Sequence, residues 1–71
     1  MVVVRKDTVG YLVIVSDKGS EFIIGSFLRT PSDDCWWYES NNIGCLYQDE
    51  LEYIVEKLRE LNRDGELNAT L

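Results

Sequence analysis

The amino-acid sequence predicts a small α+β domain, an antiparallel β-meander of three to four strands with one C-terminal amphipathic helix packed on one face. Three observations predict it. Two runs, residues 9–16 and 21–28, are dominated by β-branched and aromatic side chains and are separated by Asp17-Lys18-Gly19. A third aromatic run, Cys35-Trp36-Trp37-Tyr38, follows a polar loop. From Gln48 onward the apolar residues recur with helical rather than strand spacing.

Taken in order, residues 2–5 are rich in valine and read as an edge strand or as an extension of the first long strand. Residues 9–16 form that strand, and Asp17-Lys18-Gly19 turns the chain as a three-residue hairpin with a bulge, glycine supplying the positive φ. Residues 21–28 return. The stretch Arg29-Thr30-Pro31-Ser32-Asp33-Asp34 is a loop, because proline cannot donate to a ladder and Ser and Asp satisfy local backbone groups. Cys35 to Tyr38 gives a third strand, Ser40-Asn41-Asn42 a turn, and residues 43–47 a short fourth strand. The helix is expected over residues 48–62. Leu51, Ile54, Val55, Leu58 and Leu61 make its apolar stripe, acids crowd its first turn, bases its last, and Gly65 provides the exit. The domain spans residues 1–71, ordered over about 2–63, with a tail at 64–71 expected to fray.

Composition narrows the function classes. The chain is 45% hydrophobic and 11% aromatic, which excludes a disordered segment. Thirteen acids against seven bases give a net charge of −6, which disfavours double-stranded nucleic acid and anionic membrane surfaces as partners. Three valines before Arg5-Lys6 are too short for a signal peptide, so a cytoplasmic location is expected. Histidine is absent, and no nucleophile has an evident base beside it. A non-catalytic protein without metal or cofactor is therefore expected. Cys35 and Cys45 read as a pair of small buried hydrophobes, reduced in a cytoplasmic setting.

The most informative feature is an excess of apolar faces. Val9, Tyr11, Val13 and Val15 lie on one side of the first long strand, Leu12 and Ile14 on the other. In the second, strict alternation sets Phe22, Ile24 and Leu28 against Ile23 and Phe27, and the third sets Trp36 and Tyr38 against Trp37. One helix covers one face. The other needs a partner, and a homodimer or higher homo-oligomer is the expected arrangement. Tyr11, Phe27, Trp36, Trp37 and Tyr38 are the candidate partner-binding residues. The aromatic strand also suits plain core packing or base stacking, with Arg5, Lys6 and Arg29 as candidate ligand-binding cations for a nucleotide. On the helix, Asp49, Glu52, Glu56 and Glu60 form an acidic face, either solvated or imitating a phosphate backbone.

The helix sequence Asp49-Glu50-Leu51-Glu52-Tyr53-Ile54-Val55-Glu56-Lys57-Leu58-Arg59-Glu60-Leu61-Asn62, following a meander with a tryptophan strand, resembles small bacteriophage-encoded host-takeover and anti-defence proteins. The resemblance spans residues 9–62 and assigns no functional residue. It implies an inhibitor of a host or defence protein, or a sponge for a nucleotide or cyclic dinucleotide. A structural or assembly component is the third class to separate.

Overall fold

The structure is a computed structural model that describes residues 2–41 and 46–67 of the chain. Four strands, β1 (Val2–Lys6), β2 (Gly10–Asp17), β3 (Ser20–Leu28) and β4 (Trp37–Ser40), form one antiparallel sheet in sequence order. One helix, α1 (Gln48–Asp64), follows. The fold is the expected α+β meander with a C-terminal helix. The N-terminal valines make a separate edge strand, with Val4 opposite Val13. Of the expected fourth strand, residues 43–45 lie outside the described residues, and Leu46 and Tyr47 are not in a strand.

The β2–β3 hairpin is tighter than expected. Asp17 pairs with Ser20, so the loop is only Lys18-Gly19. Both residues have positive φ, 48° and 82°, as a type I′ turn requires. The bulge sits deeper in the sheet. Between Val13 and Ile14 the register shifts: Val13 faces Gly25 while Ile14 faces Ile23, which leaves Ile24 as the extra residue. Its carbonyl accepts from the Asn41 N–H at 2.9 Å and from the Tyr38 hydroxyl at 3.1 Å, so the irregularity leaves no orphan acceptor there.

The bulge changes which side chains share a face. Strict alternation would separate Ile24 from Phe27, but both belong to the core with Val4, Tyr11, Val13, Ile54, Leu61 and Leu67. Leu28 is carried to the opposite face, across from Gly10 and Trp37. Phe22 points toward the helix side, opposite Val15, yet lies beyond the covered area and is half exposed. Val9, expected in the first strand, sits in the β1–β2 turn closed by the Asp7 N–H to Gly10 carbonyl bond, and it is exposed.

The helix begins without a side-chain cap from Tyr47, but the Glu50 carboxylate reaches back to accept the Tyr47 N–H at 2.8 Å. It ends as expected at Gly65, whose φ of 83° lets its N–H close onto the Leu61 carbonyl at 2.8 Å. It runs two residues further than the expected 62. Its seat is rotated relative to the expected stripe. Ile54 and Leu61 are buried, Leu58, Tyr53 and Lys57 half-buried, whereas Leu51 and Val55 face outward. Tyr53 and Lys57 lie on the flank turned inward, the Lys57 ammonium 5.5 Å from the Tyr53 ring centre. The chain does not leave the core after the helix. Leu67 is buried, and its N–H reaches the Tyr11 hydroxyl at 3.4 Å. Residues 68–71 of the expected frayed tail lie outside the described residues.

Candidate functional site

The register defines the sheet face away from the helix. Four rows of paired residues cross it: Ser16 and Glu21; Val3, Ile14 and Ile23; Arg5, Leu12, Ser26 and Glu39; and Gly10, Leu28 and Trp37. Six of these positions are large apolar side chains. No described secondary-structure element lies over them, and Ile14 stands apart from the core cluster although only 2% of it is exposed. An ion pair between Arg5 and Glu21, 3.4 Å, lies on the same face. Arg5 lies opposite Leu12 and Glu21 opposite Ser16, so the line between them passes over the Ile14 row. The arginine stem can cover apolar surface there while its head stays in water. The pair is solvent-exposed and adds at most about 1 kcal/mol.

The rim of this face is where accessible apolar area remains. Ile23 is 44% and Trp37 39% exposed. Trp37 is held in place rather than left to swing. Its indole N–H donates to the Asp33 carboxylate at 3.1 Å, and the same carboxylate oxygen accepts the Thr30 backbone N–H at 2.8 Å and the Thr30 hydroxyl at 3.0 Å. Those bonds favour the charged form and hold the Asp33 carboxyl below its usual value, the Thr30 backbone N–H being the largest cause. A large aromatic side chain fixed on a sheet and partly exposed costs little entropy to bury against a partner.

The five aromatic candidates are thus divided among different surroundings. Tyr11 and Phe27 are buried in the core and offer nothing to a partner, which removes them from the candidate site. The pairing that buries Phe27 is the consequence of the Ile24 bulge. Trp36 is half-buried against Tyr11, ring centres 5.7 Å apart, and the Asn62 side chain grips its backbone, accepting its N–H at 2.7 Å and donating to its carbonyl at 3.3 Å. Tyr38 packs on Phe27 at 5.6 Å on the helix side, and burial pushes its phenol pKa up. Of the five, Trp37 alone faces outward, opposite Leu28, while its neighbour in β4, Tyr38, lies opposite Phe27.

The cations do not form a pocket. Arg5 is engaged with Glu21, Arg29 donates to the Asp33 carbonyl at 3.4 Å, and Lys6 lies on the opposite side of β1 from Arg5. Two surface hollows among the described residues near the helix are lined by other side chains. One lies along Gln48, Leu51, Glu52, Val55, Glu56 and Arg59, the other between Val2, Tyr47, Asp49, Glu50 and Tyr53. Of the acidic face, Asp49, Glu52 and Glu56 are exposed, while Glu60 is half-buried beside Lys57 at 3.8 Å. Cys35 is an exposed free thiol rather than a buried hydrophobe, since it precedes β4 in the loop, and Cys45 lies outside the described residues. No helix among the described residues is long and apolar enough to cross a membrane.

Sequence reasoning nominated the aromatics and passed over Val3, Leu12, Ile14, Ile23 and Leu28 as site residues. The signal for them was present in the two-sided apolar pattern, but the register of the bulge was needed to gather them on one face. Compared with protein-family models, curated proteins and solved structures, the chain matches none. The functional reading therefore rests on the face itself.

Proposed function

We propose that this is a non-catalytic binding protein that docks another protein on the open face of its sheet. The observation that carries the reading is the apolar face built by Val3, Leu12, Ile14, Ile23, Leu28 and Trp37, on the side of the sheet opposite the helix. Exposed apolar area with a pinned aromatic at its rim suits a protein interface. The net charge of −6 favours a partner whose docking surface is apolar at its centre and basic around it. The resemblance of the helix to phage-encoded proteins makes a host or defence protein the partner class, with inhibition in the host cytoplasm as the activity.

The test is capture from a bacterial lysate with the native chain and with Ile23→Lys and Trp37→Glu variants as baits. Capture of one protein by the native chain and its loss from both variants, each with native circular dichroism, supports the reading. Retained capture by both variants removes the face from the interaction. A thermal-shift screen with nucleotides and cyclic dinucleotides runs alongside it. Stabilisation by any of them assigns the protein to ligand sequestration instead, because a ligand that binds only the native state raises apparent stability.

A further inference from the structure

The rotated seat of α1 leaves a second surface that the docking face does not use. Gln48, Leu51, Glu52, Val55, Glu56 and Arg59 recur at steps of three and four along one side of the helix and line a single open trough. Leu51 is 49% and Val55 47% exposed, an apolar pair in the middle of an otherwise polar surface. Charge along the helix is polarised. From Gln48 to Glu56 there are four carboxylates and no base, and from Lys57 to Asp64 three bases and two carboxylates. Two of the bases are satisfied within the helix, Lys57 by Glu60 and Arg63 by Asp64. Among the described residues, Arg59 and Glu56 take part in no ion pair, although both lie on the trough.

We infer that this stripe pairs with the same stripe of a second copy of the chain, antiparallel about a two-fold axis at Val55. In that arrangement residue i meets residue 110 − i of the other copy. Val55 then meets its counterpart, and Arg59 of each copy lies over Leu51 of the other. The arginine stem covers the leucine and the guanidinium comes within reach of Glu52. On the stripe itself, Glu52 of each copy faces the end that carries Arg59 of the other, whereas a parallel pair would set Glu52, Glu56 and Arg59 each against its own counterpart. The helix dipoles also oppose one another favourably. An isologous contact of this kind needs a self-complementary patch, and the polarity of the stripe supplies one. The dimer leaves both sheet faces where they are, so its docking faces remain open and a two-headed binder results. The inference stands whether or not the open sheet face docks a protein.

One helix stripe is smaller than the roughly 1,200 Å² of a standard interface, so association is expected in the high-micromolar range. Light scattering or sedimentation of the full chain from about 10 µM to 1 mM should show the mass rising from one chain toward two. Glu52→Arg alone sets like charges together at both ends of the contact, and so does Arg59→Glu alone. Each should weaken self-association about tenfold or more. Mixing the two variants sets opposite charges at both ends, and the mixture should associate as well as the native chain. Restoration on mixing cannot come from misfolding, because both variants are the same molecules before and after. Trp37→Glu should leave the dimer unchanged. A monomeric mass over the whole range overturns the inference, as does a dimer indifferent to the two charge reversals or one that Trp37→Glu dissolves.

Discussion

Gly25 is the residue on which the sheet's geometry is most exposed to a single change. It lies opposite Val13 beside the bulged Ile24, and the Tyr38 side chain crosses directly over it to reach the Ile24 carbonyl at 3.1 Å. A Cβ added at Gly25 would fall within contact distance of the Tyr38 hydroxyl and ring and of the Glu39 backbone carbonyl. The phenol can swing aside, but the carbonyl belongs to the β3–β4 ladder and cannot move without disturbing the pairing of Gly25 with Ser40. Overpacking of this kind costs about 1–3 kcal/mol. Displacing Tyr38 also breaks its bond to Ile24, a further loss of about 1 kcal/mol. Gly25→Ala should therefore lose about 2–4 kcal/mol in urea unfolding, a large part of the roughly 4–10 kcal/mol expected of a chain this size. The midpoint temperature should fall by about 4–8 °C for each kcal/mol. Tyr38→Phe removes the hydroxyl from the collision. Alone it should cost about 1 kcal/mol, but in the Gly25→Ala background clearly less, and that coupling separates a local clash from a general weakening of the strand. A loss below about 0.5 kcal/mol for Gly25→Ala, or no coupling to Tyr38, would refute the packing described here.

Other expectations follow from the same contacts. Leu61→Ala, at a fully buried position, should cost about 2–5 kcal/mol, while Leu51→Ala and Val55→Ala at low protein concentration should stay within about 0.5 kcal/mol; chemical denaturation of the three variants checks the rotated helix seat. Gly10→Ala should destabilise severely, because its Cβ would collide with the Phe27 backbone carbonyl inside the sheet, and amide exchange should show β2–β3 protection collapsing first. The folded-state pKa of Asp33 is lowered from 3.8, so its hold on Trp37 is complete above that value and is lost as pH falls through the lower folded one. The Trp37 indole N–H resonance should therefore shift with a midpoint below pH 3.8, and Asp33→Ala should abolish the transition.

What the sequence made legible was what depends on local pattern. The helix start at Gln48, the exit at Gly65, the two long strands and the opposite orientations of Trp36 and Trp37 all follow from periodicity or from the demands of one backbone conformation. The facing of β3 was not legible, because a bulge inserts one residue and reverses every side chain beyond it, and only the register reveals it. Phe27 moved from candidate interface to core for that reason alone. The helix stripe was displaced toward Tyr53 because the pattern of Leu51, Ile54, Val55, Leu58 and Leu61 is broad enough to seat on either flank. The seat observed includes a contact far away in sequence, the Asn62 side chain on the Trp36 backbone, that no helical periodicity announces. Leu67 sits in a polar tail with no periodic neighbours, and its burial depends on the space beside Tyr11. The open sheet face was foreseeable from the count of apolar faces, but its membership awaited the bulge.

The claim that the open sheet face is the working surface can be met head-on by site-specific photo-crosslinking. A photoreactive amino acid placed at Ile23 sits on the rim of that face, and one at Lys18 sits on the exposed hairpin tip away from it. Both labelled chains are irradiated in the same bacterial lysate. The account predicts one discrete protein adduct from position 23 that is absent from position 18 and is lost when Trp37→Glu is added. Equal labelling from both positions, or an adduct at 23 that survives Trp37→Glu, would contradict it.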